Sequence, residues 1–315
     1  MGSKAKELMG PVDLGDARLT RRLLNVVDAL VEQPEATIPT ACGSWAETMG
    51  AYRLLRNDSV APEAITEGMA RATAARCPAG SVILAVQDTT SVDYTNHRGA
   101  ADLGPLEHPK HRGVLLHTTL AVTTDGQPLG LLDQESWVRD PEAVGSRRQR
   151  HEVPIEGKES AKWLRGLRNS VGRVGKRCQV VTVADREADV FDVFAVATEL
   201  TSDWVIRARH DRVLPSEAGK LGAELEQAPL ALRTEVEVAR QANHNPRTAT
   251  VEIHATELTL DPPQERSKLA KAAWRGAHPM VPTVGPAHPG PLTVGMILVT
   301  EPTPPRESLR CVGCW

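Results

Sequence analysis

Aromatic residues are scarce in this 315-residue chain: Phe, Trp and Tyr together make up 3%. Aliphatic side chains must therefore do most of the core packing. No apolar run approaches the ~20 residues that a helix needs to cross a bilayer. The first residues also lack the apolar stretch of a secretory signal, so a cytoplasmic protein is expected. Cysteine is sparse and odd in number, five in all, at positions 42, 77, 178, 311 and 314. That usage suits a reducing compartment and not a disulfide framework. Cys311 and Cys314 have C-x-x-C spacing, but no second pair completes a four-ligand zinc site. There is no internal repeat or low-complexity tract. The formal net charge of -3 and a pI near 6.4 give no overall sign of a nucleic-acid partner. What remains is an ordinary soluble composition, 41% hydrophobic and 24% charged, long enough for one large domain and one or two smaller ones.

The charge is unevenly spread. Residues 139–177 hold eleven Lys/Arg against five acids. Such a run is either a solvated face or a surface for phosphates. Near the start, Asp16 can cap a helix over residues 17–33 that Pro34 stops. Arg18, Arg21 and Arg22 lie in or near its first turn, where cations oppose the helix dipole. They are simply exposed, or they are held for phosphates. Ser44-x-x-Glu47 opens a second helix as a capping box, and Pro62 suits the first turn of a third that reaches residue 76.

Strand patterns then take over: 82–86, 114–123 and 129–137, the last two joined by Asp125-Gly126, a hairpin-turn dipeptide. A helix over 158–171 is followed by a Val-rich strand at 179–184, a helix at 187–200 and a strand at 204–209. This order predicts an α/β fold, a mixed sheet with helices on its faces. Residues 213–291 read as a β-rich insertion with an alternating segment at 248–260, and residues 294–300 resume an apolar strand. Two strands run into an acid, Asp88 and Asp185, 97 residues apart in sequence. Each is a polar strand cap or a catalytic group on a rigid element. On neighbouring strands, such a pair could share a divalent cation with substrate phosphate oxygens.

Seven blocks in order carry a resemblance: LGDARLTRRL (14–23), GAYRLLRN (50–57), QDTTS (87–91), GLLDQESW (130–137), KESAKWL (158–164), ADREAD (184–189) and VIRARH (205–210). On them the chain resembles the DDE-class cut-and-paste transposases of the fourth insertion-sequence family. The resemblance implies an RNase H-like core in which Asp88 and Asp185 are the first two catalytic, metal-binding acids for Mg²⁺ or Mn²⁺. It implies that the N-terminal helices bind double-stranded transposon ends through Arg18 and Arg22. Arg207, Arg209 and His210 are implied as DNA neighbours of the active site. Leu19 stands where relatives can carry a further arginine, and Gly295 near the place of a base-holding tryptophan. The implied chemistry is end cleavage and strand transfer into target DNA, by a homodimer at the nucleoid.

The expected layout is a helical end-binding domain (1–77), the first part of the core (78–212), the insertion (213–292), and a last core strand with the start of a helix (293–315). The family's third acid is a glutamate in a Tyr/Arg/Glu/Lys signature on that helix. Neither Glu301 nor Glu307 matches it. The chain is therefore expected to be a shortened copy, impaired in cleavage. The alternative is a non-catalytic end-binding protein that inhibits an intact transposase.

Overall fold

The structure is a computed structural model that describes residues 3–97, 99–108, 110–141, 155–215, 219–240, 245–262, 290–302 and 313–314. The chain divides into two compact units: Met1–Val144 with Arg165–Thr182, and Gly145–Leu164 with Val183–Trp315.

The first unit opens with helices α1 (Lys4–Met9), α2 (Ala17–Glu32), α3 (Ile38–Cys42), α4 (Trp45–Leu55) and α5 (Pro62–Arg76). Asp16 caps α2 by accepting the Arg18 N–H at 2.6 Å. Ser44 caps α4 by accepting the Glu47 N–H at 3.2 Å. The other half of the capping box does not form, because the Ser44 N–H donates to the Cys42 carbonyl. Met9, Val12, Leu14, Leu23 and Leu54 make the buried centre of this helical cluster. Strands β1 (Val82–Asp93), β2 (Gly104–Pro105), β3 (Arg112–Thr123) and β4 (Pro128–Trp137) follow. β1 and β3 pair antiparallel from Ile83↔Thr123 to Asp93↔Gly113, and β4 closes the hairpin against β3 through Gly126, at φ 91°. Helix α6 (Ala161–Val174) and strand β5 (Gln179–Ala184) contribute their later and earlier residues respectively to this unit. Ile83, Ala85, Ala121, Leu132, Val174 and Val180 form its sheet-side core.

The helices and strands of this unit are tied together by arginines. Arg76 of α5 donates to the Leu129 carbonyl at 2.9 and 3.1 Å and to the Glu7 carbonyl at 2.7 Å. Arg173 of α6 bonds the Leu132 carbonyl, Asp133 and Glu67. Helix α5 is thus tied to β4.

In the second unit the last residues of β5 lead to a single 3₁₀ turn (Arg186–Ala188), helix α7 (Phe191–Glu199) and strand β6 (Asp203–Ile206). Trp204 stacks on Phe194 with ring centroids 4.3 Å apart. Then come α8 (Leu221–Gln227) and a separate four-stranded sheet in the order β10-β9-β8-β7, from β7 (Leu230–Val238), β8 (Arg247–Leu260), β9 (Leu292–Thr300) and β10 (Gly313–Cys314).

Three expectations need correction. The strand expected to end at Asp88 runs on to Asp93, because Thr89, Thr90, Ser91 and Val92 keep pairing with β3. The strand at 294–300, expected to rejoin the core sheet, pairs with β8 from Glu252↔Thr300 to Leu260↔Leu292. Its alternating Val294, Met296 and Leu298 find burial there together with Leu260. The helix expected at 187–200 starts only at Phe191, after the 3₁₀ turn that Asp185 caps. The basic run at 139–177 lies partly outside the described residues, as do Glu307, Cys311 and Trp315.

Arg173 holds this unit together through a network that can be tested. Arg173→Met leaves the Asp133 carboxylate, 8% exposed in its side chain, without its cation. The loss should be about 3 kcal/mol, read by urea unfolding of the whole chain; a loss under about 1 kcal/mol would show the network to be dispensable. Arg173 also holds the Glu67 carboxyl below the usual carboxylate range. A lowered folded-state pKa stabilises above the ordinary range and is lost as pH falls through it, so acidification should weaken this unit less in the variant.

Candidate functional site

The two N-terminal arginines occupy different settings. The Arg18 side chain is 89% exposed, with one 3.4 Å contact to Asp16, a surface pair of little energetic weight. It borders a surface cleft with Leu14, Leu19, Asn57 and Ser59. Arg22, one turn along α2, is half-buried and reaches across to α4. A Cβ on Gly50 would stand 2.0 Å from Arg22 Nη1 and 2.6 Å from Cζ, so this glycine is what lets the guanidinium lie against α4. Arg22 borders a second cleft with Asn25, Asp28, Glu32 and Glu47. The Asp28 carboxylate there is already taken by Ser3 Oγ at 2.6 Å and the Ala5 N–H at 2.8 Å, which hold its pKa down.

Asp88 sits at mid-strand on β1, opposite Thr118, with its side chain exposed. Among the described residues it makes no side-chain hydrogen bond or ion pair. Its two neighbours in sequence point to the other face of the sheet, as strand geometry requires. Gln87 is 2% exposed and its Oε1 lies 3.0 Å from His117 Nε2; His117 Nδ1 lies 2.9 Å from Thr89 Oγ1. α6 comes close at Gly166, where a Cβ would stand 2.6 Å from Gln87 Oε1. The open carboxylate therefore rides on a strand whose reverse side is clamped by a buried polar set.

Asp185 directly follows β5 and accepts the Glu187 N–H at 2.8 Å, leaving its second oxygen open. Buried Lys162 lies 3.6 Å from Glu187 and 3.8 Å from Glu159. Arg207 follows β6, its N–H donating to the Ala184 carbonyl at 3.2 Å. Arg207, Arg209 and His210 all have exposed side chains on one short loop.

What shapes that loop is Asp189, to which the sequence motifs assign no role. Asp189 has a side chain only 1% exposed. Its Oδ2 accepts the Arg209 and His210 N–H groups at 2.7 and 3.0 Å, and Arg212 pairs with its Oδ1 at 2.5 Å. Arg212 also lies over the Phe194 ring. The signal in the sequence is the third acid of the ADREAD run, set just before an apolar helix.

The remaining candidates are placed as follows. Both Glu301 oxygens are engaged by Arg247, which holds that carboxyl low. Gly295 lies on β9 opposite Glu257 with open space above it. Among the described residues no group of three or more His, Cys, Asp or Glu is placed to hold a metal ion. Asp88 and Asp185 belong to different units, so each is defined on its own strand. Each carboxylate, taken by itself, offers oxygen donors of the kind a hard divalent cation takes.

Against known families, residues 1–60 match the transposase DNA-binding family. The match takes in α1 to α4 and stops before α5. Among solved structures, the chain is similar to a piggyBac transposase in a cryo-EM synaptic complex with hairpin DNA, at 10% identity and a TM-score of 0.33. That likeness covers 79% of this chain and 50% of the other, so the chain spans about half the length of that transposase. It is too slight to bear on fold or function. Among the described residues no helix is long and apolar enough to cross a membrane.

The Asp189 arrangement is testable without substrate. Asp189→Ala removes a buried acceptor and strands Arg212, and should weaken the loop by about 3 kcal/mol. Native-state trypsin should then cut faster after Arg207, Arg209 or Arg212, while cutting in the N-terminal helices is unchanged. Equal cutting rates in the two proteins would show that Asp189 does not hold the loop.

Proposed function

We propose that this chain is a DNA transposase of the DDE cut-and-paste class, which binds the ends of its own element through the N-terminal helices. The observation that carries the reading is the transposase DNA-binding match over residues 1–60, the segment that presents Arg18 and Arg22. The seven-block resemblance extends the reading to an RNase H-like core of the fourth insertion-sequence family. In it, Asp88 and Asp185 are the catalytic acids that would hold Mg²⁺ or Mn²⁺, and Arg207, Arg209 and His210 contact the DNA backbone.

The metal, when bound, would supply activation of a water and stabilisation of the departing 3′ oxygen. The protein's own part is to hold one open carboxylate on β1 and another just past the end of β5, and to set a cationic loop near the second. A homodimer holding two ends would be the working form. One observation favours a second reading, an end-binding protein with little or no cleavage: the Glu301 carboxylate is committed to Arg247.

Gel-shift and nicking assays on duplexes from the element's termini test both. Arg18→Ala and Arg22→Ala should each weaken end binding about tenfold and lower the slope of log affinity against log salt by about one. Unchanged binding in both variants would end the assignment of these arginines. Any cleavage should need Mg²⁺ or Mn²⁺, be weak, and vanish in Asp88→Asn while binding stays intact. Cleavage that survives Asp88→Asn would overturn the catalytic assignment. Specific binding with no cleavage at all would select the second reading.

A further inference from the structure

β7 is the edge strand of the four-stranded sheet, and every residue in it except Val238 has an exposed side chain. Leu230, Leu232 and Val236 are 50%, 52% and 46% exposed. Among the described residues its outer edge meets no other strand. A long apolar edge strand is usually blunted by lysine, proline or coverage, because its unpaired N–H and C=O groups are a template for another strand. The sequence of β7, LALRTEVEV, has neither lysine nor proline.

That sequence is complementary to itself in one antiparallel register. A two-fold axis on Thr234 places Leu232 opposite Val236 on one face; the bulge between Leu230 and Leu232 takes Leu230 out of that alternation. On the other face it places Arg233 opposite Glu235, twice by symmetry. Moving the axis to residue 233 sets Arg233 against Arg233, and moving it to residue 235 sets Glu235 against Glu235. Directly opposed like charges in a sheet are unfavourable, so charge selects the register centred on Thr234.

The apolar face also continues inward. Leu232 pairs with Ile253 of β8, which pairs with Val299 of β9, while Thr234 pairs with Val251 and Val236 with Ala249. A second copy would extend this row across the axis. Arg233 already leans on Glu252, with Nε 3.0 Å from Oε1, yet its side chain is 62% exposed and has donors to spare.

We propose that β7 is a self-association edge: two copies of this chain pair through it, antiparallel about Thr234, joining their four-stranded sheets into one. The closed two-fold contact uses the same strand on both copies. It stands independently of the transposase reading.

Sedimentation of the full chain over a concentration series, with far-UV circular dichroism to check folding, is the test. The wild-type chain should show a monomer–dimer equilibrium. Glu235→Arg opposes arginines at both symmetric positions and should weaken the dimer about tenfold or more. The reciprocal exchange, Arg233→Glu with Glu235→Arg, made together with Glu252→Arg so that residue 233 still faces an opposite charge on β8, should restore it. A wild-type chain that stays monomeric, a dimer indifferent to Glu235→Arg, or a folded triple variant no better than the single would each overturn the proposal.

Discussion

The ladder between β1 and β3 is the constraint on which the first unit depends. It runs without a break from Ile83 to Asp93, and its alternation does two jobs at once. Ile83 and Ala85 go inward with Ala121 and Leu132 to make the sheet-side core. Gln87 and Thr89 go the same way and meet His117, so the inward face stays satisfied where it turns polar. Asp88 is turned outward as a consequence. A slip of one residue would bury the carboxylate and expose the apolar set, which is why register here is strongly specified.

A comparable role in the second unit falls to a buried charge. Asp189 gathers two backbone N–H groups and one guanidinium from a single loop. A carboxylate so placed is tolerated only because its acceptor capacity is filled. The result is a loop whose backbone is turned inward at residues 209 and 210 and whose cationic side chains are turned outward.

Much of the local structure was legible from short-range chemistry. Asp16 and Ser44 as caps, Pro62 in a first turn and the Asp125-Gly126 hairpin each depend on a few adjacent residues, and all are found. The strand at 179–184 with Asp185 just beyond it was legible for the same reason. The dependence of Arg22 on Gly50 was not, since it joins two helices through the absence of a side chain. The role of Asp189 was equally hidden, because its partners lie about twenty residues further along.

The sequence by itself determined where the capped or proline-led helices α2, α4 and α5 start, which segments alternate as strands, and which residues are candidates for phosphate chemistry. Caps, turns and periodicity act within a few residues and leave their mark in composition. Only the tertiary structure decided that β1 runs past Asp88, that β9 joins β8, and that β7 is left at an edge. A strand's partner is chosen by burial and hydrogen bonding between segments far apart in the chain, and an apolar alternation such as that of β9 is satisfied equally by any sheet that offers it a matching face.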